Sequence, residues 1–391
     1  RAPLACGCRV AGLLLLAAFC GRFAVLSAPP RAPFIGGDLV LTQALTGPLT
    51  SLPVLMLAIG SLPGSLEITR IGPRNTLALA MVIMVIGSAG RGLVPDTFTL
   101  MLASAVMGLG VAMMQPALPA LLPRWLEPHH LALGSAIYMN GMLMGEFIGA
   151  GITLPVLMPL LENSWRATLL AWSLPALLVA AALYLPRRDR AKPVGKVSWL
   201  PDWSNPLTLR VGLLLGLSGS MFFGLNAYMG NLLEQQGQFD KLSEALFWYN
   251  IAQVFASLTM LKMARYWVGR RSVIIVTASI SILGTLGAIT FTGWWSIASA
   301  TLMSLTAGIL LILLVAIPPL VTSSRETGRL SAGTFLVGYT MAFSVPMLGG
   351  LIADWTGDAR HAILTIIAYS VLVLPLAFTL DLKRKKDQPE S

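Results

Sequence analysis

The sequence predicts an all-α polytopic membrane protein whose twelve transmembrane helices form two six-helix pseudo-symmetric bundles. Three observations lead to this fold class: a shortage of charge, a series of twelve apolar runs, and basic residues that fall mainly on one side of those runs. Only 11% of the 391 residues are charged and 55% are hydrophobic, whereas a soluble domain carries about 25% charged residues. This composition excludes a soluble enzyme and a disordered chain.

The first six apolar runs are separated by charged residues, proline and glycine. The earliest run resembles a signal peptide, with small residues at its end. We nevertheless expect it to remain as the first membrane span, because the topology of the whole chain requires it. The spans predicted in this half are 10–29, 38–62, 75–94, 97–122, 131–157 and 165–185.

Six further apolar runs follow a long polar stretch. The boundary between the ninth and tenth spans carries no charge, so we place a tight turn at Gly293. The spans predicted in this half are 208–231, 243–262, 272–291, 294–320, 330–353 and 361–380.

The basic residues orient the chain in the membrane. With the N-terminus in the cytoplasm, most of the 27 lysines and arginines lie in cytoplasmic segments, as the positive-inside rule requires. This bias predicts an even number of spans and two cytoplasmic termini. It also explains the net charge of +10, so we expect no nucleic-acid partner. The basic residues left outside are Arg31, Arg91, Arg166, Lys241 and Arg360.

The polar stretch after the sixth span divides the chain into two similar halves. We predict an N-terminal bundle at 1–186, a basic cytoplasmic linker at 187–207, a C-terminal bundle at 208–382 and a cytoplasmic tail at 383–391. Glycine and proline positions recur in the two halves at a similar offset, as with Pro119 and Pro318. Two repeats of six helices around a central cavity are a transporter architecture.

A short basic motif follows the second span and has a counterpart after the eighth. The first motif contains Arg70, Gly72 and Arg74, and the second contains Gly269, Arg270 and Arg271. With the six-plus-six layout, the motif resembles the major facilitator superfamily, in which these loops take part in gating. The acidic residue that the family places before the first arginine is replaced by Thr69, so the gating ion pair of the family is not expected here.

Four other stretches resemble the cyanate and nitroimidazole transporter-like subgroup of that family. They lie in the second, fourth, sixth and eleventh spans, and each combines proline or glycine with apolar residues. The stretches are 49–55, 108–119, 165–176 and 338–350. The resemblance implies a major facilitator fold and the transport of a small solute.

Arg22 is the residue of this sequence that points most directly to a function. It lies about 12 residues into the first span, and therefore about 18 Å deep in a hydrocarbon core of about 30 Å. An arginine at this depth is costly unless it faces water or a partner. We interpret it as a clamp for a substrate anion, because a guanidinium offers a fork of donors to a carboxylate. The alternative is a structural arginine paired with a helix end or a glutamate.

Glu146 is the other deep charge, and it lies in the middle of the fifth span beside a stripe of glycines. A buried carboxylate can take up and release a proton, so we interpret Glu146 as the proton-coupling residue or as an acid that binds a cation. The alternative is a simple ion pair with Arg22. Both interpretations hold together if substrate binding to Arg22 breaks the pair.

The C-terminal half offers uncharged polar residues in its seventh and eighth spans. Such groups either line a cavity or hydrogen-bond to a neighbouring helix. The family resemblance places these two spans at the cavity, so we expect substrate contacts from Asn226, Tyr228, Asn250 and Gln253. Two charges near the outer ends of spans, Arg91 and Glu244, are expected at the surface or at the rim of the cavity.

Several motifs are absent from the sequence. It has no ATP-binding loop and no hydrolase or metalloprotease motif, so we expect no enzymatic activity and no cofactor. His129 and His130 fall in a predicted loop, and we expect no metal site there.

These patterns together predict a secondary active transporter in a bacterial cytoplasmic (inner) membrane. The expected substrate is a small organic or pseudohalide-like anion, moved by alternating access, with protons as a coupling ion. Its partners are that small molecule and the lipid bilayer. One alternative is a multidrug or metabolite exporter that works by proton antiport, and another is a membrane sensor that uses the same fold without transport.

Overall fold

The structure is a computed structural model that describes residues 2–26, 55–127, 130–151, 158–162, 164–185, 200–322 and 326–382. These residues form helices joined by turns, with no strand among them, so the predicted all-α fold class is confirmed. The principal helices are α1 (Ala2–Leu26), α2 (Ser61–Ile71), α3 (Pro73–Leu93), α4 (Thr97–Trp125), α5 (Leu131–Gly151), α6 (Trp165–Ala182), α7 (Pro206–Gln235), α8 (Leu242–Trp267), α9 (Arg271–Thr290), α10 (Trp294–Val315), α11 (Thr327–Thr356) and α12 (Ala359–Val373).

Eight of the described helices are long and apolar enough to cross a membrane. They are α3, α4, α6, α7, α9, α10 with its continuation to Val321, α11, and α12 with its continuation to Thr379. Helix α1 adds a shorter apolar stretch, Val10–Ala24. The chain is a multi-pass membrane protein, as its composition predicts.

Helix ends differ from the predicted span ends because polar residues at the membrane boundary remain helical. The second span was predicted to end at residue 62, but α2 continues to Ile71, and most of the predicted span lies outside the described residues. Helix α5 ends at Gly151, and residues 152–157 of that prediction are not described. The turn at Gly293 is confirmed: its φ of 64° is one that glycine adopts without strain.

Asp96 begins α4 by capping the helix. Its Oδ1 accepts a hydrogen bond from the backbone N–H of Thr99 at 2.8 Å, the usual N-cap arrangement. This bond holds the pKa of the Asp96 carboxyl below its ordinary value.

The chain divides into two compact units. The first comprises Arg1–Asp202 with Thr322–Gly333, and the second comprises Trp203–Val321 with Thr334–Ser391. The first unit contains α1–α6 and the second contains α7–α10, α12 and most of α11.

Equivalent helices pack together within each unit. In the first, Gly87 of α3 lies against the backbone of Met107 in α4, and in the second Gly284 of α9 lies against the carbonyl of Ser299 in α10. Helix α1 packs against α5, and α7 packs against α11 in the same way. The repeated pairs confirm the pseudo-symmetry that the sequence predicts.

Candidate substrate and coupling site

Arg22 and Glu146, the two deep charges, form an ion pair inside the first unit. Nη1 of Arg22 lies 3.4 Å from Oε1 of Glu146, and the side chains are 5% and 12% exposed. The structure thus joins the anion clamp and the proton-coupling residue that the sequence predicts. Burial of the pair carries a large desolvation penalty, because two charges have lost most of their hydrating water.

Two glycines of α5 bring its backbone onto α1 and so place Glu146 within reach of Arg22. A Cβ atom at Gly141 would overlap the carbonyl oxygen of Leu15, and one at Gly145 would overlap the carbonyl oxygen of Phe19. Residues four apart lie on one helix face, so the glycines form a smooth stripe along which the helices approach closely. The numbers rise together along both helices, so α1 and α5 run parallel.

We expect Gly145→Ala to destabilise the protein, because the added methyl group must displace the α1 backbone. Overpacking of this kind costs about 1–3 kcal/mol. Gly12→Ala in α1 is the matched control, because its Cβ would meet no atom within 4 Å. Thermal unfolding of the purified proteins should show a lower Tm for Gly145→Ala and no loss for Gly12→Ala. Equal melting temperatures for the two variants would contradict the close contact.

Arg91 is buried, so the expectation that it lies at the surface or rim is wrong. The residue is 1% exposed, and its Nη2 donates to the carbonyl oxygen of Ala24 at 2.9 Å and to Ser88 Oγ at 3.5 Å. Ala24 lies in the last turn of α1, where carbonyl groups lack partners within the helix and a cation is favourable. Arg91 therefore fixes the end of α1 two residues after Arg22. Glu244 is exposed, as expected.

Of the predicted polar contacts in the second unit, Gln253 is the most buried. Its Nε2 donates to the backbone carbonyl of Ser304 at 2.7 Å and lies 3.0 Å from that residue's Oγ, while Ser304 Oγ donates to the carbonyl of Tyr249. These bonds join α8 to α10 in a polar network. Gln253 thus has a structural role here, and its contact with substrate stays a prediction.

The side chains of the other three predicted contact residues differ in how many hydrogen bonds they already form within the protein. The hydroxyl of Tyr228 donates to the carbonyl of Pro346 in α11 at 2.9 Å, and Nδ2 of Asn250 donates to Leu246 within its own helix. Asn226 is half-buried and forms no side-chain hydrogen bond with the described residues. Asn226 therefore has the most hydrogen-bonding capacity left for a ligand.

The first gating motif is a sharp turn between α2 and α3. Gly72 has a φ of 84°, and Arg70 forms an exposed ion pair with Glu67 at 3.5 Å. The guanidinium of Arg74 lies 4.9 Å from the ring centroid of Tyr184, which follows α6. The turn is thus held within the first unit by contacts other than the missing acidic residue.

The second motif forms the equivalent turn between α8 and α9. Gly269 has a φ of 82°, and Arg270 and Arg271 are exposed. Nη1 of Arg271 lies 3.5 Å from the carbonyl oxygen of Phe378, beside the end of α12. A gating role for either turn stays a prediction.

No group of three or more histidine, cysteine, aspartate or glutamate residues that could hold a metal ion occurs in the described part of the chain. His130 is exposed, and His129 lies outside the described residues.

Comparison with known proteins gives a family and two informative relatives. The family described as Major Facilitator Superfamily matches residues 14–266. The 2-nitroimidazole transporter of Escherichia coli (strain K12) is 26% identical over 371 residues, which are 93% of each chain. The cyanate transport protein CynX of the same organism is 24% identical over 343 residues, 84% of this chain and 87% of that one. The predicted resemblance to the cyanate and nitroimidazole subgroup is confirmed.

A solved structure shows the same fold. The proton:xylose symporter XylE, bound to 6-bromo-6-deoxy-D-glucose, superposes with a TM-score of 0.77 over 95% of each chain, at 12% sequence identity. At this identity the similarity concerns the fold alone.

Proposed function

This chain belongs to the Major Facilitator Superfamily, and on that premise we propose that it is a secondary active transporter that moves a small anion together with a proton by alternating access. Arg22 binds the anion and Glu146 carries the proton. The observation that supports this proposal is the buried ion pair between the two side chains. The same two charges thus serve both the substrate and the coupling ion.

The pair suits a transporter because it can exist in two forms of equal charge. Without substrate, the Arg22 cation is neutralised by the Glu146 carboxylate 3.4 Å away. A substrate anion that binds Arg22 takes the place of the carboxylate as its partner. A buried carboxylate without a cation is unfavourable, so Glu146 then takes up a proton.

This exchange sets the stoichiometry of transport. One monovalent anion and one proton enter the site together, and the net charge of the site does not change. We therefore propose an electroneutral symport with one proton for each anion. Release of the anion restores the ion pair and expels the proton on the same side of the membrane.

The relatives support the chemistry of the proposal. Cyanate is a small pseudohalide anion, and its transport protein aligns with most of this chain. The bacterial relatives and the basic residues of the predicted cytoplasmic loops support a bacterial inner membrane, with both termini in the cytoplasm.

A multidrug or metabolite exporter is the second candidate, because the other relative is named for 2-nitroimidazole, a heterocycle without a fixed charge. In that case Glu146 would exchange protons against the solute, and Arg22 would only hold Glu146 in place. The direction of the proton flux separates the two functions, since symport and antiport move the proton in opposite senses.

Uptake into proteoliposomes tests the proposal. The purified protein is reconstituted and offered labelled cyanate, acetate and glycolate, with 2-nitroimidazole as a heterocyclic probe and tetramethylammonium as a cationic probe. We expect saturable uptake of at least one anion, faster with an acidic exterior, and none of the cation. Uptake of 2-nitroimidazole alone, or anion uptake indifferent to the pH gradient, would contradict the proposed symport.

A further inference from the structure

Gln115 is a buried polar side chain that the ion pair does not use. It lies in α4, is 4% exposed, and forms no side-chain hydrogen bond with any residue that the structure describes. Its backbone carbonyl also lacks the usual helical partner, because Pro119 at the i+4 position has no N–H. The protein therefore leaves this carboxamide to hydrogen-bond with water or with a ligand.

Gln115 lies close to Arg22 along the axes of their two helices. Helices α1 and α4 touch where a Cβ at Gly21 would lie 3.2 Å from Cε of Met114. Arg22 follows Gly21 directly in the sequence, and Gln115 follows Met114. Each polar residue is therefore one position beyond the same contact.

The two helices run antiparallel. Arg91 near the end of α3 donates to Ala24 near the end of α1, so these two helices run in the same direction. Helix α4 returns beside α3 after a three-residue turn, and so runs opposite to α1.

Antiparallel direction places Arg22 and Gln115 on the same side of the contact. The next residue along an α-helix is rotated by about 100°. Because the two chains run in opposite directions, these rotations have opposite senses, and both side chains project to one side. Glu146 lies on that side too, because its carboxylate pairs with Arg22. A cation, a carboxylate and a carboxamide therefore lie on one side of these packed helices, inside the first unit.

We propose that Gln115 is a second substrate ligand, which binds a polar group beside the charge held by Arg22. This inference rests on the proposed function. A carboxamide both donates and accepts hydrogen bonds, whereas a guanidinium only donates. The substrate class is then a small anion that carries, next to its anionic group, a hydroxyl or another atom able to form a hydrogen bond.

A comparison of glycolate with acetate tests this ligand, because the two monocarboxylates differ by one hydroxyl group. In proteoliposomes we expect kcat/KM for glycolate to exceed that for acetate at least tenfold, since a buried polar group left unpaired discriminates strongly. Gln115→Met keeps the length of the side chain and removes its hydrogen bonding. It should bring the ratio to about one by lowering glycolate transport, with acetate changed less than threefold.

Two further variants make the outcome decisive. Gln235→Met changes an exposed glutamine near the end of α7 and should keep the ratio of the unaltered protein. Arg22→Gln should lose the transport of both anions. Suppose that Arg22→Gln no longer transports either anion. If Gln115→Met then keeps the glycolate preference, or if the unaltered protein shows no preference, the role of Gln115 is refuted and the proposed function stands. If Arg22→Gln transports both anions normally, the proposed function fails first.

Discussion

We expect Arg22→Gln to abolish most anion uptake, with kcat/KM lowered by at least about 10- to 100-fold. The substitution keeps a polar side chain but shortens it and removes the charge that faces the substrate. A hydrogen bond to a charged group is worth roughly 1.5–3 kcal/mol, which corresponds to a factor of about 10–100 in affinity. Initial rates of uptake in proteoliposomes measure the effect.

The same substitution also destabilises the protein, and a second variant separates the two effects. Arg22→Gln leaves Glu146 buried without its cation, a loss of about 3–5 kcal/mol in other buried pairs. The double variant Arg22→Gln with Glu146→Gln contains no buried charge at this pair. We expect its Tm to recover toward that of the unaltered protein while anion uptake remains absent. Recovery of uptake in the double variant would show that Arg22 serves only to neutralise Glu146.

Glu146→Gln separates substrate movement from proton movement. The glutamine cannot carry a proton, but Arg22 is still present to bind the anion. For electroneutral symport with one proton, one unit of pH gradient is worth about 1.4 kcal/mol and supports about tenfold accumulation. We expect Glu146→Gln to reduce this accumulation ratio to about one, while exchange of labelled for unlabelled anion continues.

The control for this result is another glutamate outside the pair. Glu244 is exposed near the start of α8, and Glu244→Gln should accumulate anion as the unaltered protein does. Accumulation that survives in Glu146→Gln would assign the proton to another group. Loss of exchange as well as accumulation would instead give Glu146 a part in binding.

The sequence predicts the fold class and the two central residues because both depend on position along the chain. Depth in a span can be counted from the span ends, so Arg22 and Glu146 are recognisable as charges that topology does not explain. The sequence leaves open whether these residues form an ion pair, and the structure shows that they do, because Gly141 and Gly145 bring α5 against α1.

Features that depend on the direction of a side chain around its helix could not be predicted in this way. Arg91 lies near a span end, and only its contact with Ala24 shows that it points inward. Gln253 was expected at a cavity, but its bonds to Ser304 depend on the neighbouring position of α10. The proposed role of Gln115 likewise depends on the contact between Gly21 and Met114, which fixes the orientation of α4 against α1.

Proton movement on addition of substrate tests the central claim most directly. Proteoliposomes that enclose a pH-sensitive dye are mixed with the transported anion in the absence of any imposed gradient. The symport predicts that the lumen of vesicles with the unaltered protein becomes acidic in step with anion entry, at one proton for each anion, and that Glu146→Gln shows no acidification. Anion entry without acidification in the unaltered protein, or equal acidification in Glu146→Gln, would contradict the coupling of Arg22 to Glu146.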